Sequence, residues 1–132
     1  MATIKKLSQT LLTNDTRSCL LTSALEGGSN YWLDLPKSTW DKIKKYKVVG
    51  DNNYISDLFL RAIEGGETLD IIDVEDENEI LGTISLKSMR KGEKTMIKDY
   101  TQHFAAAISE GGDAETGDVY LQLCIFNDVV YG

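Results

Sequence analysis

Apolar positions recur at helical spacing over much of the chain. Between Asn14 and Gly28 they fall at Leu20, Leu21, Ala24 and Leu25, with Asn14 or Asp15 as N-cap and Gly27 as C-cap, which predicts a helix of about three turns. Tyr54 to Glu64 repeats the spacing with Ile55, Leu58, Phe59, Ala62 and Ile63, after the turn cluster Asp51-Asn52-Asn53. From Lys87 to Glu110 the pattern stays helical, with Gly92 as the expected break and Ile97, Tyr100, Phe104, Ala105 and Ile108 on one face of the later part. A last helix, capped by Asp113, runs through Val119, Leu121, Leu123, Cys124 and Ile125. A short basic helix over 39–46 follows Ser38-Thr39-Trp40-Asp41, where an acid stands three residues after a serine as in a capping box.

Extended segments are fewer. Tyr31 to Leu35 is short, aromatic and apolar, and Pro36 closes it. Thr68 to Val74 and Glu79 to Leu86 flank Glu75-Asp76-Glu77-Asn78 and read as an antiparallel hairpin with an acidic tip. Val129-Val130-Tyr131 reads as a terminal strand tucked into the sheet or an interface, because an exposed apolar edge would invite pairing. The expected fold is α+β, a single domain over 1–132. Its small antiparallel sheet, with a central hairpin at about 67–86 and strands near 31–35 and 128–131, is covered by three or four helices. The apolar C-terminus and short sheet make a homodimer a reasonable arrangement.

Glu-Gly-Gly occurs at Glu26 to Gly28, Glu64 to Gly66 and Glu110 to Gly112. Each triplet ends a predicted helix, where glycine supplies the left-handed conformation of a C-cap. The alternative is that these glycines let backbone amides approach a ligand, although none opens a helix as a phosphate-binding loop does.

Composition narrows the class. With 132 residues and 42% hydrophobic content the chain can bury a core without disulfide or metal staples. No apolar run reaches the ~20 residues of a membrane span, and Met1 to Leu12 lacks the basic-then-apolar pattern of a secretory signal, so a cytoplasmic protein without membrane contact is expected. Cys19 and Cys124 lie in apolar periodic segments and read as buried free thiols.

The net charge of -7 is local. Seven of the 21 acids lie in 67–79, which holds no Lys or Arg, leaving fourteen acids against fourteen Lys and Arg elsewhere. Two segments lean basic, Lys37 to Lys47 and Lys87 to Lys98.

Catalytic signals are sparse. The single histidine, His103, sits in a helical segment, no His, Cys, Asp or Glu grouping has metal-ligand spacing, and no nucleotide, dinucleotide or esterase motif occurs. The reading leans away from an enzyme and implies no metal and no cofactor. Two segments could bind a partner. Gly27, Gly28, Ser29, Asn30, Tyr31 and Trp32 place an aromatic pair and an amide after a glycine turn, near Trp40, Tyr46, Tyr54 and the basic 37–47 stretch, a combination suited to a small anionic, ring-bearing ligand. Asp73, Glu75, Asp76 and Glu77 on the acidic hairpin could hold a cation, dock on a basic protein site in place of nucleic acid, or keep the hairpin solvated. Direct nucleic-acid binding is not expected of an acidic segment.

Two stretches, Leu20 to Trp32 and Gly117 to Gly132, resemble a family of small tailed-phage proteins. Its members pair a Glu-Gly-Gly and a Tyr-Trp near the start with an acidic, Gln-containing helix and a final Val-Val-Tyr-Gly. The middle of the chain is outside the resemblance, and Phe126-Asn127-Asp128 stands where Gly and Glu are more usual. The resemblance implies a phage or prophage accessory protein in the bacterial host cytoplasm, and no activity. With it, the expected function is non-covalent binding that counteracts a host defence by sequestering a nucleotide-like anion. The alternatives are an acidic inhibitor docking on the basic nucleic-acid site of a host enzyme, or a structural or regulatory phage component.

Overall fold

The computed structural model describes residues 12–110 and 112–132. The stretch read for a secretory signal falls, apart from Leu12, outside the described residues, as does Gly111 of the third glycine triplet. Among the described residues, six α-helices and a three-stranded antiparallel sheet form an α+β fold. In chain order these are α1 (Asn14–Ser23), continued by a π-helical turn (Ala24–Gly28), β1 (Leu33–Asp34), α2 (Lys37–Lys44), α3 (Ile55–Glu64), β2 (Leu69–Asp73), β3 (Ile80–Ile84), α4 (Leu86–Asp99), α5 (Thr101–Glu110) and α6 (Ala114–Phe126). The sheet order is β1-β2-β3, so β2 is central and β3 is an edge, bulged at Leu81 where Ile71 and Ile72 face Gly82 and Ile80.

Helix α6 is the centre of the molecule. Thr116 to Cys124 are all buried, so the helix is enclosed on every side. Helix α4 packs on it most closely at Gly92, where a Cβ would sit 2.5 Å from the Leu123 carbonyl carbon and oxygen. Gly92 therefore does not break the helix; it is the point at which two helix backbones meet, and the break comes at Tyr100 (φ -127°, ψ 52°) between α4 and α5. The apolar core joins Leu20 and Leu21 of α1, Phe59 and Ile63 of α3, Ile71 of β2 and Leu121 of α6, all fully buried.

Several expectations are corrected by longer-range contacts. Thr13, not Asn14 or Asp15, caps α1, its side chain accepting from the Thr16 N–H. Helix α2 begins after Pro36 without a side-chain cap; Thr39 instead donates to the Asp70 carbonyl (2.7 Å) and Asp41 pairs with Lys37. The side-chain capping box belongs to α4, between Ser85 and Ser88. Cys124 is buried, but Cys19 is exposed.

The last three apolar residues are not a strand. Gln122 of α6 holds them instead: its Oε1 accepts the Val130 and Tyr131 N–H groups (2.7 and 2.8 Å), and its Nε2 donates to the Tyr131 carbonyl (3.1 Å). One side-chain amide thus offers the tail the donor and acceptor that a neighbouring strand would.

The three glycine triplets also divide. Gly66 (φ 97°) and Gly112 (φ 76°) take the left-handed conformation expected after a helix. The first triplet does not: Gly27 is extended (φ 178°), and Gly28 lies so close to α6 that a Cβ there would collide with the Ala114 carbonyl. Close approach is its role, and what approaches is another helix.

Candidate functional site

Ser29, Tyr31 and Trp32 converge on one carboxylate. Asp118 of α6, 8% exposed, accepts from Ser29 Oγ and Trp32 Nε1 on Oδ1 (both 2.7 Å), and from Tyr31 Oη (2.6 Å) and Gln122 Nε2 (3.1 Å) on Oδ2. Four donors fill both oxygens, so the charge is held by neutral dipoles. The Trp32 ring stacks on Tyr131 with centroids 4.7 Å apart and leans on Phe126 at 5.6 Å. Ser29 and Trp32 are therefore interior residues, committed to the joint between the two ends of the chain. Of the six residues singled out for ligand binding, Gly27, Asn30 and Tyr31 are exposed, and Gly28 is half-buried against α6.

The Tyr31 ring is half-exposed while its hydroxyl points inward. Loss of hydration at that end, together with the bond to Asp118, pushes its pKa up to about 12. The folded state therefore favours the neutral phenol, and that contribution to stability is complete below the ordinary tyrosine range near pH ~10 and is lost as pH rises through about 12. In an ultraviolet alkaline titration, the wild type minus Tyr31→Phe difference should show a midpoint near 12; a midpoint near ~10 would remove the Asp118 contact.

A second polar cluster lies on the other side of α6. Arg17 of α1 and Glu93 of α4, both 0% exposed, form a bidentate pair: Nε to Oε2 at 2.8 Å and Nη2 to Oε1 at 3.0 Å. Tyr120 donates to the same Oε2 at 2.7 Å, and Asn14 accepts from Arg17 Nη1 at 2.9 Å. Burial works to lower the guanidinium's pKa, and the bond and charge of Glu93 more than offset it. Burial also pushes the Tyr120 phenol and the Cys124 thiol well above their ordinary values, so both are neutral.

One concave surface of about 730 Å³ lies between α1 and α3, with Ser18, Thr22, Ser56 and Asp57 in its walls. Thr22 donates to Ser56 Oγ (2.8 Å) and Ser18 to Asp57 Oδ1 (3.2 Å). Among the described residues, Asp15, Asp57, Glu64 and Glu110 line it, against one cation, Arg61. That guanidinium is spent on the preceding loop, donating to the Tyr46 and Asn52 carbonyls (3.0 and 2.6 Å). Exposed Cys19 and Tyr54 complete the rim, while Trp32 is buried elsewhere, so the expected aromatic cleft beside the basic stretch does not assemble. Among the described residues, neither this groove nor the Asp118 cluster offers an anion a free cationic partner.

The acidic hairpin is different. Asp73 and Asp76 build the turn: Asp73 Oδ1 accepts from Glu75 N (2.7 Å) and Asp76 Oδ1 from Asn78 N (3.0 Å). Glu75, Glu77 and Glu79 are exposed, and their side chains make no hydrogen bond or ion pair among the described residues. Val74 and Ile80 stand beside them, 42% and 60% exposed. Of the four residues singled out for partner binding, two thus shape the tip and two present free charge; Glu79 joins the latter.

His103 Nδ1 lies 3.1 Å from Thr116 Oγ1 at the start of α6. Among the described residues no group of three or more His, Cys, Asp or Glu is placed to hold a metal ion, and no helix is long and apolar enough to cross a membrane. Sequence reasoning passed over Asp118, Gln122, Arg17 and Glu93. A signal existed for the first two, an acid and an amide four residues apart in the otherwise apolar stretch from Gly117 to Phe126. The described residues thus form an α+β fold with two internally satisfied polar clusters and an acidic tip whose glutamates make no ion pair among them. No protein-family model, no curated protein and no solved structure matches it.

Proposed function

We propose that this protein acts by non-covalent docking, with the tip of the β2–β3 hairpin engaging a basic surface on a partner protein. The observation that carries the reading is the combination of three exposed, unpaired glutamates with exposed Val74 and Ile80 on a turn stiffened by two aspartates. A stiff turn presents these groups without the ordering cost of a free loop, and unpaired carboxylates gain most from a cationic partner. The cleft in which a nucleic-acid enzyme holds phosphates is a surface of this chemistry. The resemblance of both chain ends to small tailed-phage proteins adds a context for such an inhibitor, a host cell whose enzymes carry these clefts. Sequestration of a small anion through Gly27 to Trp32 is less well supported, since its buried donors already share a carboxylate.

The clean variant is Glu75→Lys/Glu77→Lys/Glu79→Lys, because changing Asp73 or Asp76 would also unmake the turn. It should keep the wild-type thermal midpoint and lose a partner enzyme captured in a pull-down, and duplex DNA should release that enzyme from the wild type. Capture undiminished by the triple reversal would sink the docking reading.

A further inference from the structure

The chain carries a basic surface of its own. Helix α2 ends in Lys44 and leads through Lys45 and Lys47 to a loop, all three lysines being exposed and free of ion pairs and side-chain hydrogen bonds among the described residues. Of the neighbouring acids, Asp41 pairs with Lys37 within reach of the charges of Lys44 and Lys45, Asp51 pairs with Arg61, and Glu67 accepts from Tyr46 Oη (3.0 Å). The loop is held firmly. Asn53 accepts from Val48 N (2.9 Å) and donates to the Val48 and Asp51 carbonyls (3.0 and 3.1 Å), while Arg61 ties down Tyr46 and Asn52 from behind. Yet its outermost side chains are aliphatic, Val49 at 103% exposure and Val48 at 45%. Two exposed valines next in the chain to three lysines without ion pairs among the described residues make a knuckle that is the counterpart, in charge, of exposed Val74 and Ile80 next to three glutamates in the same condition.

The two surfaces stand at opposite ends of β2. Lys42 Nζ donates to the carbonyl of Thr68, just before the strand, so the end of α2 lies there, and the acidic tip begins where the strand ends. Six residue steps of extended chain separate them by about 20 Å, well beyond the ~10 Å screening length, so neither neutralises the other within one molecule. Of the seven acids in 67–79 only Glu67 and Asp70 lie toward the knuckle end of β2, where Lys42, Lys44, Lys45 and Lys47 outnumber them, and the charge outside that segment sums to zero.

We propose that the tip of one copy docks on the 44–49 knuckle of a second copy, head to tail. This rests on the reading of the tip as a docking surface and names the chain itself as a partner. A head-to-tail contact leaves one free tip and one free knuckle at the ends, so it extends into a ring or an open series. Screening by salt weakens it, as for any contact made by exposed charges.

Sedimentation velocity on the full chain tests this. The wild type should grow in mean size with concentration and shrink on adding salt. Glu75→Gln/Glu77→Gln/Glu79→Gln and, separately, Lys44→Gln/Lys45→Gln/Lys47→Gln should each weaken association by about tenfold or more, as loss of facing charges does. An equimolar mixture of the two variants should recover a one-to-one pair and nothing larger, since only one intact tip and one intact knuckle can meet. Lys87→Gln/Lys91→Gln/Lys94→Gln, at the other basic segment, should associate as the wild type does. A wild type that is monomeric throughout, a mixture that stays monomeric, or an equal loss in the Lys87 control would each overturn the proposal. So would binding of a monomer to phosphatidylserine vesicles that the knuckle variant loses. A monomer whose tip reversal still abolishes enzyme capture overturns self-docking alone; one whose tip reversal changes nothing removes the docking reading as well.

Discussion

Replacing Glu93 by alanine is expected to destabilise the protein by about 3–5 kcal/mol, the range for breaking a buried ion pair by removing one partner. Arg17 is 0% exposed and its Nε and Nη2 both donate to Glu93, so truncation leaves a guanidinium inside the protein without the carboxylate that offsets its desolvation. The Tyr120 hydroxyl loses its acceptor in the same step. The carbons of Glu93 also fill space between α4 and α6, next to Gly92, where the backbones touch and cannot close further. Urea unfolding should show the midpoint falling with little change in slope. Glu93→Gln, which keeps the shape and one acceptor, should lose less. Arg17→Met/Glu93→Met should recover much of the loss, because an apolar pair of similar size removes both charges together. A loss below ~1 kcal/mol in Glu93→Ala would mean that the pair is hydrated rather than buried.

Asp118→Ala should cost a similar amount, about 3–5 kcal/mol, by a different route. No cation is stranded; instead the Ser29 hydroxyl and Trp32 indole N–H, both from buried residues, lose their acceptor, and Gln122 loses the contact that orients its amide. Since that amide holds the Val130 and Tyr131 N–H groups, the C-terminal tail should loosen before the protein unfolds. Hydrogen exchange at those two amides should therefore quicken in Asp118→Ala and remain slow in Glu93→Ala. Trp32 emission should also shift to the red as its ring loses Tyr131, its stacking partner. Equal exchange in both variants would show that Asp118 does not act through Gln122. Asp118→Asn should fall between, since its carbonyl oxygen can still accept while its NH2 group faces another donor.

These two residues show where sequence reasoning stops. The helices were legible because a 3.6-residue period is a local property: α3 and α6 lie where the spacing of Ile55 to Ile63 and Val119 to Ile125 places them. The hairpin was legible because two β-prone runs flank a cluster of turn-forming acids, and Asp73 and Asp76 do form that turn. The break between α4 and α5 was misplaced because Gly92 has the composition of a helix breaker, whereas tertiary contact uses its missing side chain and Tyr100 takes the break. The tail was misread as a strand because three β-prone residues do not reveal whether a backbone or a side-chain amide will pair with them. The candidate sites divided in the same way. Glu75 and Glu77 are presented as an acidic turn implies, while Ser29 and Trp32, whose amide and aromatic neighbours suggested a ligand, are turned inward by an acid 89 and 86 positions away.

Order along the chain determined most of the helices, the hairpin and the confinement of the net charge to one segment, since each follows from neighbours a few residues apart. Only the tertiary structure decided which polar residues are surface and which are core. A buried carboxylate is tolerable only when donors meet it, and the donors for Asp118 and Glu93 come from elements far apart in the chain. It also placed the unpaired acids of the tip and the unpaired lysines of the knuckle at opposite ends of one strand, because five residues of β2 stand between them in space.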